Sequence, residues 1–121
     1  PLFELLTPDE VAKTRLIKID VEGAEWMVLQ GLIPIISKLR GDTEILIEVA
    51  HKELSRFGKS FSDVLEIFST FGFYPYLLRN EYNHIDCLYH RKISPPTRLQ
   101  ENFEPEPLVD LVFSRVDQQS L

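Results

Sequence analysis

Ile17-Lys18-Ile19-Asp20-Val21-Glu22-Gly23-Ala24-Glu25 is the stretch that decides the fold. Leu16, Ile17 and Ile19 give residues 15–20 the apolar content of a strand, and Lys18 must find an opening towards water. Residues 24–30 then read as a helix, with Trp26, Leu29 and Ile33 near one face. Three carboxylates, Asp20, Glu22 and Glu25, fall at the carboxyl end of the strand and in the first turn of the helix. Ligands of open α/β sheets bind outside that edge, so the position is chemically privileged. Gly23 lets the backbone turn sharply and approach a ligand closely. A plainer explanation competes for Glu22 and Glu25, because the helix macrodipole favours acidic side chains near a helix start.

Outward from this stretch, helical and extended signals alternate, the mark of an α/β domain. Gly31 is a plausible cap for the 24–30 helix, and Pro34 would open a second short helix running to about Leu39, with Lys38 and Arg40 at its negative end. Upstream, Thr7-Pro8-Asp9-Glu10 forms a capping-box start for a short helix ending near Lys13. Downstream, residues 43–49 are a strand whose continuous Ile45-Leu46-Ile47 core suits burial on both faces. Ser60-Phe61-Ser62-Asp63 begins another helix, in which Phe61, Val64, Leu65, Phe68 and Phe71 share a face before Gly72 ends it. Residues 73–78 form a third strand and residues 109–114 a last one. Residues 80–107 read as a long irregular connection, broken by Pro95, Pro96, Pro105 and Pro107, with a short extended piece at 85–89. Parallel strands joined by right-handed helical crossovers are the expected arrangement, and the tail beyond Arg115 is expected to fray.

Bulk properties bound the function. The chain has 121 residues, 44% of them hydrophobic and 26% charged, enough to bury a core. A net charge of −6 argues against a sequence-independent grip on nucleic acid or on an anionic membrane surface. No apolar run approaches the ~18 residues of a membrane span, and no secretory signal opens the chain. Cys87 is the lone cysteine, so no internal disulfide forms, which suits a reducing, cytoplasmic setting. Pro1 rather than Met at the start suits a piece of a longer protein, and processing of the start would look the same.

The nine-residue stretch, followed by Val28-Leu29-Gln30-Gly31, resembles the signature of the FkbM-type methyltransferases. The resemblance continues through the strand ending in Glu48-Val49, the helix at 61–71 and the Gly72-Phe73-Tyr74 turn, and includes the lead-in Leu2-Phe3-Glu4-Leu5-Leu6. It implies a Rossmann-like class I methyltransferase fold, of which this chain is the carboxyl-terminal half, with a mixed sheet of about four strands and flanking helices. It also implies S-adenosylmethionine as cofactor and a small-molecule acceptor, with methyl transfer to a hydroxyl of a sugar, lipid or natural product. Asp20 matches the acidic position bordering the methionine end of the cofactor. The resemblance thus assigns Asp20, Val21 and Glu22 to cofactor binding, and Asp20, Glu48 and His51 to catalysis. His51 is the candidate base, because imidazole titrates near neutrality; similar families place a histidine directly after Glu-Val, whereas Ala50 intervenes here. The five glycines (Gly23, Gly31, Gly41, Gly58 and Gly72) form no Gly-x-Gly cluster, so the glycine-rich cofactor turn of the family is not in this stretch.

Other residues carry smaller expectations. Trp26, Phe68, Phe71, Phe73, Tyr74 and Tyr76 read as packing. Tyr82, His84, Asp86, Cys87 and His90 suggest a metal cluster, but their spacing fits no standard zinc pattern and no metal site is expected. The 80–107 segment is either part of an acceptor-binding lid or a passive connection. The strand at 15–20 would be an exposed sheet edge, open to a missing amino-terminal half or to a second copy in a homo-oligomer. Two other functions remain open: a non-catalytic interaction module using that edge, and a hydrolase using Asp20 with Glu22 or Glu48 and a metal.

Overall fold

Two capping boxes set where helices begin. The Thr7 hydroxyl accepts from the Glu10 amide, while the Glu10 carboxylate accepts from the Thr7 amide at 2.8 Å. Ser60 and Asp63 repeat the arrangement, again with the returning amide bond at 2.8 Å. Each box satisfies amides that a helix start leaves without partners. The computed structural model describes residues 2–79 and 94–121. Its helices are α1 (Leu2–Leu5), α2 (Pro8–Lys13), α3 (Glu25–Ile36), α4 (His51–Arg56) and α5 (Phe61–Thr70). Its strands are β1 (Leu16–Ile19), β2 (Glu44–Ala50), β3 (Tyr74–Leu78), β4 (Thr97–Arg98) and β5 (Leu108–Ser114).

The five strands form one mixed sheet in the order β1-β2-β5-β3-β4. β1 and β2 are parallel, with α3 as their crossover, and Ile17 sits opposite Ile45 and Ile19 opposite Ile47. The sheet is mixed, as the family resemblance implied: β5 is antiparallel to both of its neighbours, where the alternation of helices and strands had pointed to parallel pairing. Entering last, β5 fills the slot between the co-directional β2 and β3 from the opposite end, and Val109, Leu111 and Phe113 are buried there. A strand's own alternation reports which side chains are inward and says nothing of its direction, so this insertion was invisible in the pattern. β4 adds a two-residue strand antiparallel to β3, inside the segment expected to be irregular. β1 forms one outer edge of the sheet, as expected, and among the described residues no strand pairs with its outer side.

Alternation along each strand gives the sheet two different faces. Ile19, Ile45, Ile47, Val49, Val109, Leu111 and Phe113 point to one side and join Leu29, Leu32 and Ile36 of α3 and Phe61, Val64 and Phe68 of α5 in a single apolar cluster. Phe68 stacks on Phe113 with ring centroids 3.8 Å apart, so Phe68→Ala would remove roughly 3–5 kcal/mol. Lys18, Leu46, Glu48, Asp110 and Val112 lie on the other side. On that side Leu16 and Leu108 are more than half exposed.

Two further expectations are corrected. α3 runs unbroken through Gly31 and Pro34 to Ile36. Pro34 is exposed and lies in the last turn, where its missing amide removes one bond, while buried Leu32, Ile35 and Ile36 hold the helix to the core. Arg115 completes this end: its guanidinium donates to the carbonyls of Ile36 at 3.0 Å and Arg40 at 2.7 Å, and lies 4.2 Å from the Phe73 ring centroid. The tail beyond Arg115 does not fray. Tyr76 Oη donates to the Val116 carbonyl and accepts from the Gln118 amide, and the Arg98 and Leu121 amides donate to the carbonyls of Gln119 and Pro96. The expected extended piece at 85–89 and the suggested cluster of Tyr82, His84, Asp86, Cys87 and His90 lie outside the described residues.

Candidate functional site: the turn after β1

β1 ends on Ile19, which is buried, and the next residue is already at the surface. Asp20 Oδ2 there accepts from Lys18 Nζ at 2.8 Å, both groups lying at the surface. The chain must then reverse into α3 within four residues. It does so through two successive left-handed conformations, Glu22 at φ 48° and Gly23 at φ 104°. An L-residue pays about 1–2 kcal/mol for such a backbone, whereas glycine adopts it freely. At Gly23 a second constraint applies: a Cβ there would stand 2.8 Å from Oε2 of Glu53 on α4. Gly23 therefore serves the turn and leaves room for the Glu53 side chain reaching over from α4.

The turn leaves inward-facing amides, and Glu25 satisfies them. Only 4% exposed, this first residue of α3 curls its carboxylate back over the turn. Both of its oxygens accept from the Gly23 amide at 3.1 Å, and Oε1 also accepts from the Val21 amide at 3.4 Å. Asp20, Val21 and Glu22 remain exposed on the outside of this braced loop.

Glu48, two residues before the end of β2, faces away from the helix-covered core and lies opposite Asp110 of β5. Burial raises its pKa above the ordinary 4.5, and the carboxylates of Asp110, Asp20 and Glu25 raise it further, Lys18 opposing them. Asp20 and Glu48 thus belong to one electrostatic neighbourhood at the carboxyl edge of the parallel pair. The edge gathers acidic groups, yet among the described residues no three His, Cys, Asp or Glu side chains are grouped to hold a metal ion.

His51 stands apart from that pair. It is the first residue of α4, a helix the sequence reading did not anticipate, with its amide donating to the Pro107 carbonyl at 3.0 Å. Its ring stacks on core residue Phe61 at a centroid distance of 6.0 Å, and Nε2 is buried with no hydrogen-bond partner among the described residues. Glu48 projects from the opposite side of β2. Elsewhere, a shallow groove between α3 and α5 is lined by Trp26, Ile33, Ile67, Lys59 and Glu66, and none of the five candidate site residues borders it.

The order of exposed Asp20, the left-handed Glu22-Gly23 pair and the buried Glu25 gives the signature stretch a structural meaning. A family model of the FkbM methyltransferase domain matches residues 3–75, more than half of the chain. The chain belongs to this family. Searches of curated proteins and of solved structures gave no match. The matched segment of this FkbM-family chain runs from α1 into the start of β3, and so contains both parallel strands, the turn after β1, Glu48 and His51. No helix among the described residues is long and apolar enough to cross a membrane.

Glu25 and Glu53 are the residues that sequence reasoning undervalued. A glutamate two residues after a strand-to-helix glycine has the reach-back geometry of a capping side chain, so Glu25 had a readable signal. Glu53 and Asp110 had none, because their proximity depends on α4 packing and on the β2–β5 register.

Proposed function

We propose that the chain is the carboxyl-terminal portion of an S-adenosylmethionine-dependent methyltransferase acting on a hydroxyl of a sugar, lipid or natural product. The observation that carries this reading is the preformed turn after β1, which presents an exposed carboxylate at the sheet edge where α/β proteins bind ligands. Asp20 suits the ammonium group of the cofactor, since Oδ2 already accepts one, that of Lys18, at 2.8 Å. Val21 and Glu22 flank it on the exposed side of the turn. With no Gly-x-Gly turn among its glycines, the chain alone holds the cofactor weakly and is inactive by itself.

S-adenosylmethionine supplies, when bound, the activated methyl group. The residues of this chain orient the partners and handle the proton. Asp20 holds the ammonium or the acceptor hydroxyl, and orientation of that kind accounts for much of the catalysis of such transfers. Glu48 is the favoured proton acceptor of the two candidate bases, because it shares the acidic sheet edge with Asp20 and burial raises its pKa above the ordinary carboxylate value, while His51 keeps Nε2 buried against Phe61. The open outer side of β1 suits pairing with a further strand of the gene product.

A second reading, a non-catalytic interaction module, is favoured by that same open edge and by Leu16 beside it, 62% exposed. Calorimetric titration of S-adenosylmethionine and S-adenosylhomocysteine into the chain and into its full-length gene product separates the two. Binding is expected to the full-length product, weakened about tenfold, or about 1.4 kcal/mol, by Asp20→Ala. A folded full-length product that binds neither compound would reject the methyltransferase reading and leave the interaction module.

A further inference from the structure

We infer that Glu25 is the positioning residue of the candidate site: its buried carboxylate fixes the turn after β1 in the shape that presents Asp20 and Glu22. The inference deepens the methyltransferase reading and rests on it for the use of the turn, though not for its shape. Three observations on different atoms converge. Glu25 is 4% exposed yet ionisable, and its oxygens are spent on the amides of Gly23 at 3.1 Å and Val21 at 3.4 Å, inside the loop whose outer residues are the candidate ligands. Glu22, a non-glycine residue, is held at φ 48°, a conformation that persists only where its surroundings over-determine it. The side chain of Glu53 packs beside Gly23 from α4, so the turn has a neighbour on the β2 side as well.

The division of labour follows from charge and exposure. A carboxylate buried against two amides is committed to the backbone and is not offered to a ligand. Asp20, paired with the exposed Lys18, and Glu22 are exposed at the surface, but a turn with left-handed residues would sample many shapes without an internal acceptor. Glu25 removes that freedom before ligand arrives, which raises affinity by lowering the ordering cost of binding.

The test compares Glu25→Ala and Glu25→Gln with wild type in the full-length gene product. Two measurements are made on each: hydrogen exchange at the Val21 and Gly23 amides, and S-adenosylmethionine binding with the split between KM and kcat. In Glu25→Ala both amides are expected to exchange at least about tenfold faster while those of β2 and β5 stay protected, since the opening is local. Cofactor affinity is expected to fall about tenfold. Glu25→Gln, whose single amide oxygen can still accept from both amides, is expected to recover most of both effects. Unchanged exchange at Val21 and Gly23 in Glu25→Ala would overturn the inference, as would faster exchange accompanied by wild-type affinity and KM. If wild type itself binds no S-adenosylmethionine, the methyltransferase reading fails, and exchange alone then decides whether Glu25 shapes the turn.

Discussion

Gly23→Ala is the substitution whose cost is most directly readable from the turn after β1. Gly23 has φ 104°, beyond the left-handed well that an alanine tolerates, so the backbone term is near the upper end of the usual penalty, about 2 kcal/mol. The new methyl group would stand 2.8 Å from Oε2 of Glu53, 3.1 Å from Cδ and 3.3 Å from Cγ, so the whole end of that side chain must leave. Its departure breaks the pair with Arg56, whose own side chain is 64% exposed, a loss of less than about 1 kcal/mol. Restricting the unfolded chain returns about 0.4–1 kcal/mol. The net destabilisation is then about 2 kcal/mol. In a Glu53→Ala background only the backbone term remains, so the same substitution should cost about 0.5 kcal/mol less, a coupling that a double-mutant cycle resolves. Urea denaturation monitored by circular dichroism should show the midpoint falling by about 1 M at constant slope. A Gly23→Ala midpoint within error of wild type would refute the claim that conformation and close approach both require glycine.

The remaining predictions concern charge. Glu48 has a folded pKa raised above its ordinary value, so the fold favours its protonated form, and its contribution is fully present below about pH 4.5 and lost as pH rises through the raised pKa. Glu48→Gln should therefore melt at a higher temperature than wild type at pH 7.5, with the gain gone near pH 4; equal shifts at the two pH values would show that charge is not the cause. Arg115→Ala removes charged hydrogen bonds to the Ile36 and Arg40 carbonyls and the contact with Phe73, and should cost about 2–4 kcal/mol, with Arg115→Lys recovering about half. A loss below about 1 kcal/mol in urea titration would mean that solvent replaces the guanidinium at the end of α3.

Local chemistry was legible wherever the interacting groups are near in sequence. Thr7 with Glu10 and Ser60 with Asp63 announce their helices because a capping box closes within four residues. The strands at Ile17, Ile45, Tyr76 and Leu111 follow from apolar alternation and runs, and the signature stretch around Asp20 was enough to place the chain in its family. Pro34 shows the limit of local rules: its breaking tendency was real, but Leu32, Ile35 and Ile36 bury enough surface to carry the helix past it. Arg115 and the tail show the same limit from the other side, because the groups that hold them, the Ile36 carbonyl for Arg115 and the Tyr76 hydroxyl for the tail, lie some 40 to 80 residues away.

What the amino-acid order determined by itself was therefore the four longer strands, the helices opened by capping boxes, the acidic edge after the first strand and the family. Only the tertiary structure decided that β5 inserts antiparallel beside β2, which brings Asp110 opposite Glu48 and helps raise its pKa. It also decided that the His51 ring turns towards Phe61 while Glu48 faces the other side of the sheet, and that Glu53 packs beside Gly23. The physical reason is common to all three. Hydrogen-bonding and conformational preferences act over a few residues, whereas burial and electrostatics depend on distances in space, which are set by strand register and helix packing.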